Sequence, residues 1–451
     1  MSRNMALNQS MLEQSLACRI GTTNTGRPHA AGDPVRTFRA ACQTKIVAAN
    51  TNAKAVYPHR LGCLAIKAET PAPATKISHE ASTGDLAVIF DNDRKFVAVA
   101  LYDPDSPIQF RVLHVGKPTP IDADWWRSTI TNALDVRAPF TTTPDADRLA
   151  YRVLNGENDG VSGLVVDRYA GVLVIKLYSA VWFPHLVAIV NALLDLTGCT
   201  AVVLRLARNL QTRETFGLSD GDVIAGDLAD GPVRFLEGGL EFEADVRAGQ
   251  KTGHFLDQRA NRLRIGEMAA GRDVLDVFAS TGGFSVHAAA GGARSVHAVD
   301  LSAPTLAAAE RNMELNAHLD AVRACAFTTE VGDAFEVMVQ LARAGTTYDL
   351  VVVDPPSFAQ RQANVEGALR AYTRLTHLAL RLVRPGGTLV QASCSSRVTD
   401  EQFFDAVLDA AVAAGRPLTE IMRSGHDIDH PVTFREGAYL KASFWRVGGG
   451  R

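Results

Sequence analysis

Residues 274–300, VLDVFASTGGFSVHAAAGGARSVHAVD, constrain the fold of this chain more than any other stretch. The opening VLDVF is an apolar run holding one acid, Asp276, and reads as a buried parallel strand. A turn of small residues follows, and 284–290 then read as a short apolar helix that stops at Gly291-Gly292. Residues 295–299 form a second strand, closed by Asp300. Glycines let backbone N–H groups and a helix N-terminus come close to a ligand. An acid ending the second strand can accept hydrogen bonds from both hydroxyls of a ribose. The unit therefore points to a nucleoside-containing cofactor, although its glycines do not spell GxGxxG. Taken alone, it also fits an ordinary glycine turn of an α/β protein.

The alternation continues downstream. Further strands are expected over 326–331, 350–353 and 388–392. Helices are expected from the Ser302 cap to about 316, over 365–383 and over 400–413. Thr433-Phe434 and 438–447 can supply a terminal strand pair. This pattern predicts a doubly wound, mostly parallel α/β sheet. Such sheets bind ligands at the carboxyl ends of their strands. Thr281, Asp300, Asp333, Asp354 and Cys394 all fall at those ends.

Upstream, strands over 86–90, 96–101 and 108–115 form a small antiparallel β unit closed by Pro118 and Pro120. A helix over 122–136 carries Trp125 and Trp126, expected to pack in a core rather than stack on bases. From Leu149 a hairpin (164–167 with 172–178), a helix (183–196), a strand (201–206) and a strand pair within 234–246 make a compact α+β layer. The expected domains are therefore 61–120, 121–246 and 247–451. The first sixty residues hold two acids, Glu13 and Asp33, against eight Lys/Arg, with no apolar signal core. They read as a disordered or mis-started extension, or alternatively as an organellar transit peptide. A cytoplasmic location is expected, with an organelle as the alternative.

The net charge is −3, so nothing global announces a polyanion partner. Local basic runs at Arg205/Arg208/Arg213, at 247–264 and at 370–384 are candidates for phosphate contact, though each alone also fits a solvated face. The six cysteines show no CxxC pair or His cluster. That argues against a metal site and a disulfide framework, and for a reducing compartment. No apolar run of bilayer-spanning length is expected, hence no membrane.

The motifs GQKTGHFLDQR, VLDVFASTGGF, GDAF, VVVDPPSF and ASCSS occur in this order. Residues 101–111, YRVLNGENDGVSGLVVDRY and HPVTFREGAYLK accompany them. Together they resemble class I S-adenosylmethionine-dependent methyltransferases. More narrowly, they are similar to the bacterial family that makes 5-methylcytosine in 23S ribosomal RNA. The resemblance runs from about residue 84 to the end. It implies a small N-terminal PUA-like RNA-binding β domain, a central α+β domain and a Rossmann-like methyltransferase domain. It also implies S-adenosylmethionine as cofactor and ribosomal RNA as partner, and it is compatible with a homodimer. One departure is Pro58-His59-Arg60-Leu61, where the family usually has His-Pro-Trp-hydrophobic.

On this resemblance Ser280, Thr281, Gly282 and Gly283 admit the methionine end of the cofactor. Asp276 orients the turn or the amine, Asp300 holds the ribose, and Asp333 with Ala334 sits at the adenine edge. Lys251, Phe255, Asp257 and Arg259 are implied to lie near cofactor or RNA. Carbon 5 of cytosine is a poor nucleophile, and addition of a thiolate to C6 makes it enamine-like. Cys394 stands where the family has its nucleophile, and Asp354 can serve the N3/N4 edge of the base. Pro355 borders the cofactor and, with Pro356 and Phe358, shapes a wall for an extruded base. The other reading of Cys394 is an inert buried thiol, as Cys325 is expected to be. Asp-Pro-Pro-aromatic also grips exocyclic amines, so an RNA N-methyltransferase acting on guanine or adenine without a cysteine nucleophile is the alternative. An RNA-binding assembly factor with a vestigial cofactor site is a third reading, against which the intact glycines, Asp300 and Asp354 speak.

Overall fold

The computed structural model describes residues 81–449, apart from Asn92 and Gln360, together with the backbone of short strands within 46–77. The chain forms two compact units. One holds the described residues up to Phe235, with Ala244–His254 and Ile428–Phe434; the other holds Leu236–Glu243, Phe255–Asp427 and the tail from Arg435.

The first unit contains two sheets. One has the order Tyr57–Pro58, Leu64–Ile66, Phe110–Val115, Phe96–Tyr102, Leu86–Phe90, Ile46–Asn50, Lys76–Ile77. Its antiparallel centre consists of the three strands expected from sequence. Period-2 alternation sends Leu86, Val99 and Leu101 to one face and Ala87, Ile89, Ala98 and Ala100 to the other, and both faces are buried. Folded structure was expected to begin near Leu61, yet Ile46–Asn50 pairs in parallel with Leu86–Phe90. Its partner is distant in sequence, so no local hairpin pattern marks it. Residues 1–45 and the His59-Arg60-Leu61 element lie outside the described residues.

The second sheet has the order Val223–Ala225, Ala201–Leu206, Val172–Leu177, Leu164–Tyr169, Ala150–Asn155. Helices Ala123–Val136 and Leu186–Thr197 pack with it in one core. Asp122 caps the first helix by accepting the Trp125 N–H at 3.0 Å. Trp126 is buried, its ring edge-on to Trp182 at 6.0 Å. A 3-10 turn, Ala180–His185, precedes the second helix. Contrary to expectation, Ala180–Thr197 is long and apolar enough to cross a membrane by length and composition, alone among the described residues. Here Trp182, Phe183, Ile189, Val190 and Leu193 are buried in the protein core.

The strands Val233–Glu237 and Leu240–Ala244 form the expected hairpin, with Gly238 and Gly239 at φ 59° and 80°, as a type I′ turn demands. A boundary at residue 247 was expected, but Ala244–His254 belongs to the first unit. Long-range polar contacts account for this. Thr252 Oγ1 donates to Asp167 Oδ2 at 2.6 Å, Lys176 Nζ to the Lys251 carbonyl at 2.8 Å, and the His254 N–H to the Tyr169 hydroxyl at 3.0 Å. Likewise Arg152 N–H donates to Asp429 Oδ2 at 2.9 Å and Asn155 Nδ2 to the Pro431 carbonyl at 3.1 Å, which holds Ile428–Phe434 in this unit.

In the second unit the strands are β1 (Asp273–Val277), β2 (Ser295–Asp300), β3 (Ala326–Val331), β4 (Tyr348–Val353), β5 (Val383–Ser393), β6 (Leu418–Ser424) and β7 (Lys441–Val447). Helices α1 (Arg259–Met268), α2 (Gly283–Ala290), α3 (Ala303–Leu315), α4 (Ala334–Arg343), α5 (Val365–Leu382) and α6 (Asp400–Ala413) connect them. The sheet order is β3-β2-β1-β4-β5-β7-β6. Neighbours among β1 to β5 are parallel, and β7 runs antiparallel to β5 and β6. Leu275, Val277, Val351 and Val353 fill one core; Val274, Leu350, Val352 and Val390 fill another. Burial on both faces explains the near-continuous apolar strands. The expected terminal pair is corrected: β7 pairs with β6, not with Thr433-Phe434, which belongs to the first unit. The strand order reverses between β1 and β4, and in sheets of this kind the carboxyl ends at such a reversal are where ligands bind.

Candidate active site

At the end of β1 the chain enters a tight turn. Phe278, Ser280 and Gly282 have φ of 67°, 50° and 76°. Two non-glycine residues in the left-handed region mark stored strain, which cluster at functional turns. The Phe278 and Ala279 N–H groups both donate to the Val299 carbonyl, at 2.9 and 3.0 Å, which ties the turn to β2. Gly282 begins α2, and a Cβ there would sit 2.7 Å from Ala309 Cβ. A Cβ on Gly283 would sit 2.7 Å from Arg262 Cδ. Both glycines are thus required by close approach.

Two acids flank the turn. Asp300 Oδ2 accepts the Ser280 N–H at 2.9 Å, and its Oδ1 accepts the Ser302 N–H at 2.9 Å. Asp276 is 1% exposed. Its Oδ2 accepts the Ser285 hydroxyl at 2.7 Å, but among the described residues no donor reaches Oδ1. Burial, aided by the Asp300 charge and opposed by Ser285, pushes this carboxyl up to about 6. A buried acceptor without a donor is costly unless a ligand supplies one. A cationic amine fits that need.

A second group of candidate residues lies across the switch point. The Asp354 N–H, just past β4, donates to the Val277 carbonyl at 3.3 Å. Cys394, half-buried just past β5, directs its Sγ–H to the Pro355 carbonyl at 3.9 Å. The Tyr372 hydroxyl bridges Ser393 Oγ (2.8 Å) and Ser395 Oγ (2.9 Å). Ser395 Oγ also meets Ser357 Oγ at 3.3 Å and accepts the Ala359 N–H at 3.3 Å. The Asp-Pro-Pro-Ser loop and the Ser-Cys-Ser loop are therefore clamped together. Among the described residues no His/Cys/Asp/Glu group is arranged to hold a metal ion.

The pattern of the S-adenosylmethionine-dependent methyltransferase family matches residues 157–415, more than half of the chain. The chain belongs to that family. A PUA-like domain pattern matches residues 74–114 of this methyltransferase. It is 49% identical over 375 residues to the ribosomal RNA large subunit methyltransferase of Deinococcus radiodurans, covering 82% of this chain and 90% of the relative. It is 34% identical over 374 residues to ribosomal RNA large subunit methyltransferase I of Klebsiella pneumoniae, covering 82% and 92%. The fold matches SMU.776, solved as a methyltransferase complexed with SAH, at TM-score 0.72 and 22% identity over 90% of this chain and all of that one. A S-adenosylmethionine-dependent methyltransferase structure from Streptococcus mutans gives TM-score 0.71 at 22% identity, over 89% and 100%. The cofactor of the methyltransferase is S-adenosylmethionine, and the glycine turn with its two acids fits it.

The structure gathers Asp276, Ser280, Thr281, Gly282, Gly283 and Asp300 around one turn, and Asp354, Pro355 and Cys394 beside β4 and β5. Asp333 stands at the end of β3 but also caps α4, accepting the Phe335 and Glu336 N–H groups at 3.0 and 3.2 Å; Ala334 is buried behind it. Phe255, Asp257 and Arg259 lie in the same unit with internal partners. The Phe255 carbonyl accepts Arg262 Nη1 at 2.8 Å, Asp257 accepts the Tyr439 hydroxyl at 2.9 Å, and Arg259 Nε donates to Asp427 at 3.1 Å. Lys251 belongs to the first unit.

Part of each basic run is spent on internal contacts. Arg205 pairs with Asp220 at 3.0 Å, Arg262 with Glu237 at 2.5 Å, and Arg384 with Asp349 at 2.7 Å. Arg208, Arg264, Arg370, Arg374 and Arg381 remain exposed. Arg262, Tyr372 and Ser285 were missed from sequence. Only Ser285, inside the glycine-turn unit, had a local signal.

Two expected results follow here. Asp276→Asn removes a carboxyl whose folded-state pKa is raised. The acid's stability contribution is complete below the unfolded value near 4 and is lost as pH rises through about 6. The variant should therefore gain about 1–3 kcal/mol without ligand at pH 8, with the gain fading toward pH 4, as urea unfolding at the two pH values reads out. Asp300→Ala should weaken S-adenosylmethionine binding about ten- to a hundredfold, the worth of a charge-assisted hydrogen bond. An unchanged calorimetric affinity would count against that role.

Proposed function

We propose that this methyltransferase transfers the methyl group to carbon 5 of a cytosine in the large-subunit (23S) ribosomal RNA, through a covalent adduct on Cys394. The observation that carries the reading is the half-buried Cys394 thiol at the end of β5, within 3.9 Å of the carbonyl of Pro355 in the Asp354-Pro355-Pro356 loop. The relatives named as ribosomal RNA large subunit methyltransferases and the PUA-like pattern support RNA as the substrate. S-adenosylmethionine supplies an electrophilic methyl carbon.

The residues of the chain do the rest. The Cys394 thiolate adds to C6 of the base, and a C–S bond forms as the ring electrons move toward C5. Asp354 serves the N3/N4 edge, balancing the charge that builds on the ring. After C5 takes the methyl group, a base removes the C5 proton, the C5–C6 double bond re-forms and the C–S bond breaks. Thiolate is returned. Pro355, Pro356 and Phe358 give the loop a stiff apolar wall for an extruded base. Asp276 and Asp300 would hold the cofactor's amine and ribose, and Asp333 would serve its adenine edge.

The test is mass mapping of 23S ribosomal RNA from cells lacking the chain. Loss of one 5-methylcytosine, restored by the wild-type gene, is expected. Loss of a methylguanine or methyladenine instead would replace the reading with amine methylation by the Asp-Pro-Pro-Ser-Phe loop.

A further inference from the structure

We propose that Lys441 is a positioning residue that holds Cys394 as a thiolate, by placing a buried ammonium on the neighbouring strand. The inference rests on the reading of Cys394 as the nucleophile. In the β5–β7 ladder, Lys441 lies directly across from Ser393, the residue before the cysteine. Lys441 is 2% exposed. Its Nζ donates to the carbonyl of Ser395, the residue after the cysteine, at 2.9 Å, and to the Tyr439 carbonyl at 3.0 Å. The ammonium thus grips the backbone next to Cys394, and the ladder fixes it from the other side.

A lysine is almost never buried so fully unless it is paired. Two carbonyls satisfy two of its three donors but do not neutralise its charge. Burial pulls the Lys441 ammonium below its ordinary value, and the anions acting against that pull are Asp400 and Cys394. The influence is reciprocal: a cation that feels the thiolate also stabilises it. The other groups around the cysteine come from three elements. Asp354, beyond β4, opposes a thiolate. The Tyr372 hydroxyl of α5 responds to both Asp354 and Cys394. Asp400 opens α6 and competes for the same ammonium. Of these groups, Lys441 carries the positive charge. A cysteine without a nearby cation is mostly a thiol at neutral pH, and a thiol does not add to C6.

The test is the pH dependence of iodoacetamide alkylation at Cys394, read by peptide mass on the full chain without cofactor or RNA. The wild-type inflection should lie below the ordinary cysteine value of about 8.5. Lys441→Met should move it upward and slow alkylation at neutral pH about tenfold, as one pH unit implies. Lys441→Arg should restore most of the rate, and the pH profile of methylation kcat should move with the alkylation profile while KM for S-adenosylmethionine stays unchanged. Equal inflections in wild type and Lys441→Met overturn the proposal. So does a wild-type inflection at or above the ordinary value, a measurement that stands even if the methionine variant fails to fold. The two readings fail separately. Methylation by Cys394→Ala sinks the nucleophile and leaves the alkylation result intact, whereas an inactive Cys394→Ala with equal inflections sinks Lys441 alone.

Discussion

Cys394→Ala should abolish methylation, lowering kcat by a factor on the order of 10³ or more, while S-adenosylmethionine affinity stays unchanged. The size of the effect follows from the chemistry. Without the C6 adduct, C5 of cytosine has no electron pair to offer, and no neighbouring group can take the place of a covalent bond. The binding prediction follows from the fold. Cys394 follows β5 and contacts the Pro355 carbonyl, whereas the glycine turn and its two acids follow β1 and β2. Alanine leaves the Ser393–Tyr372–Ser395 clamp in place, because that network runs through the flanking hydroxyls. Calorimetry with cofactor and single-turnover kinetics with RNA separate the two quantities. Comparable losses in both would mean that Cys394 shapes the loop rather than attacks the base.

Arg262→Met should cost about 3–5 kcal/mol of stability, the penalty for breaking one side of a buried ion pair. Arg262 Nε and Nη2 hold both oxygens of Glu237 at 2.5 Å, and the two side chains are 3% and 0% exposed. The same guanidinium donates to the Phe255 carbonyl at 2.8 Å, and its Cδ fills the space that a side chain on Gly283 would need. The variant therefore leaves a buried carboxylate without its bidentate partner and loosens the support under the cofactor turn. Urea unfolding should show the loss, and cofactor affinity should fall with it. The double variant Arg262→Met/Glu237→Leu should recover a large part of the stability, because no buried charge is left behind. If the single variant unfolds like wild type, the pair is not a support of the turn.

Much of the second unit was legible in the sequence because parallel strands buried on both faces write themselves as apolar runs, as in VLDV and LVVV. The strand β6 was not. Its residues are mostly exposed or half-buried, as an edge strand's are, so Leu418–Ser424 shows no apolar run. The strand-end acids and Cys394 were legible for a similar reason: each ends a run that announces itself. Arg262, Tyr372 and Lys441 were not, because what gives them meaning lies 25, 21 and 46 residues away in Glu237, Ser393 and Ser395. The unit boundary failed on the same ground. Residues 247–254 resemble a cleft loop in composition, but their hydrogen bonds run to Asp167 and Tyr169, 85 residues back. Charge counting cannot tell an exposed arginine such as Arg381 from one bonded inside the fold such as Arg262.

The central claim is a covalent bond between Cys394 and the target base, and trapping that bond tests it most directly. In RNA carrying 5-fluorocytosine at the target, the adduct forms and the methyl group is transferred. The fluorine cannot then leave as a proton does, so the C–S bond persists. With S-adenosylmethionine present, the account predicts a denaturation-stable protein–RNA species whose cross-linked peptide contains Cys394 and which Cys394→Ala does not form. Methylation of ordinary RNA without any such species, or a cross-link at another residue, would contradict it.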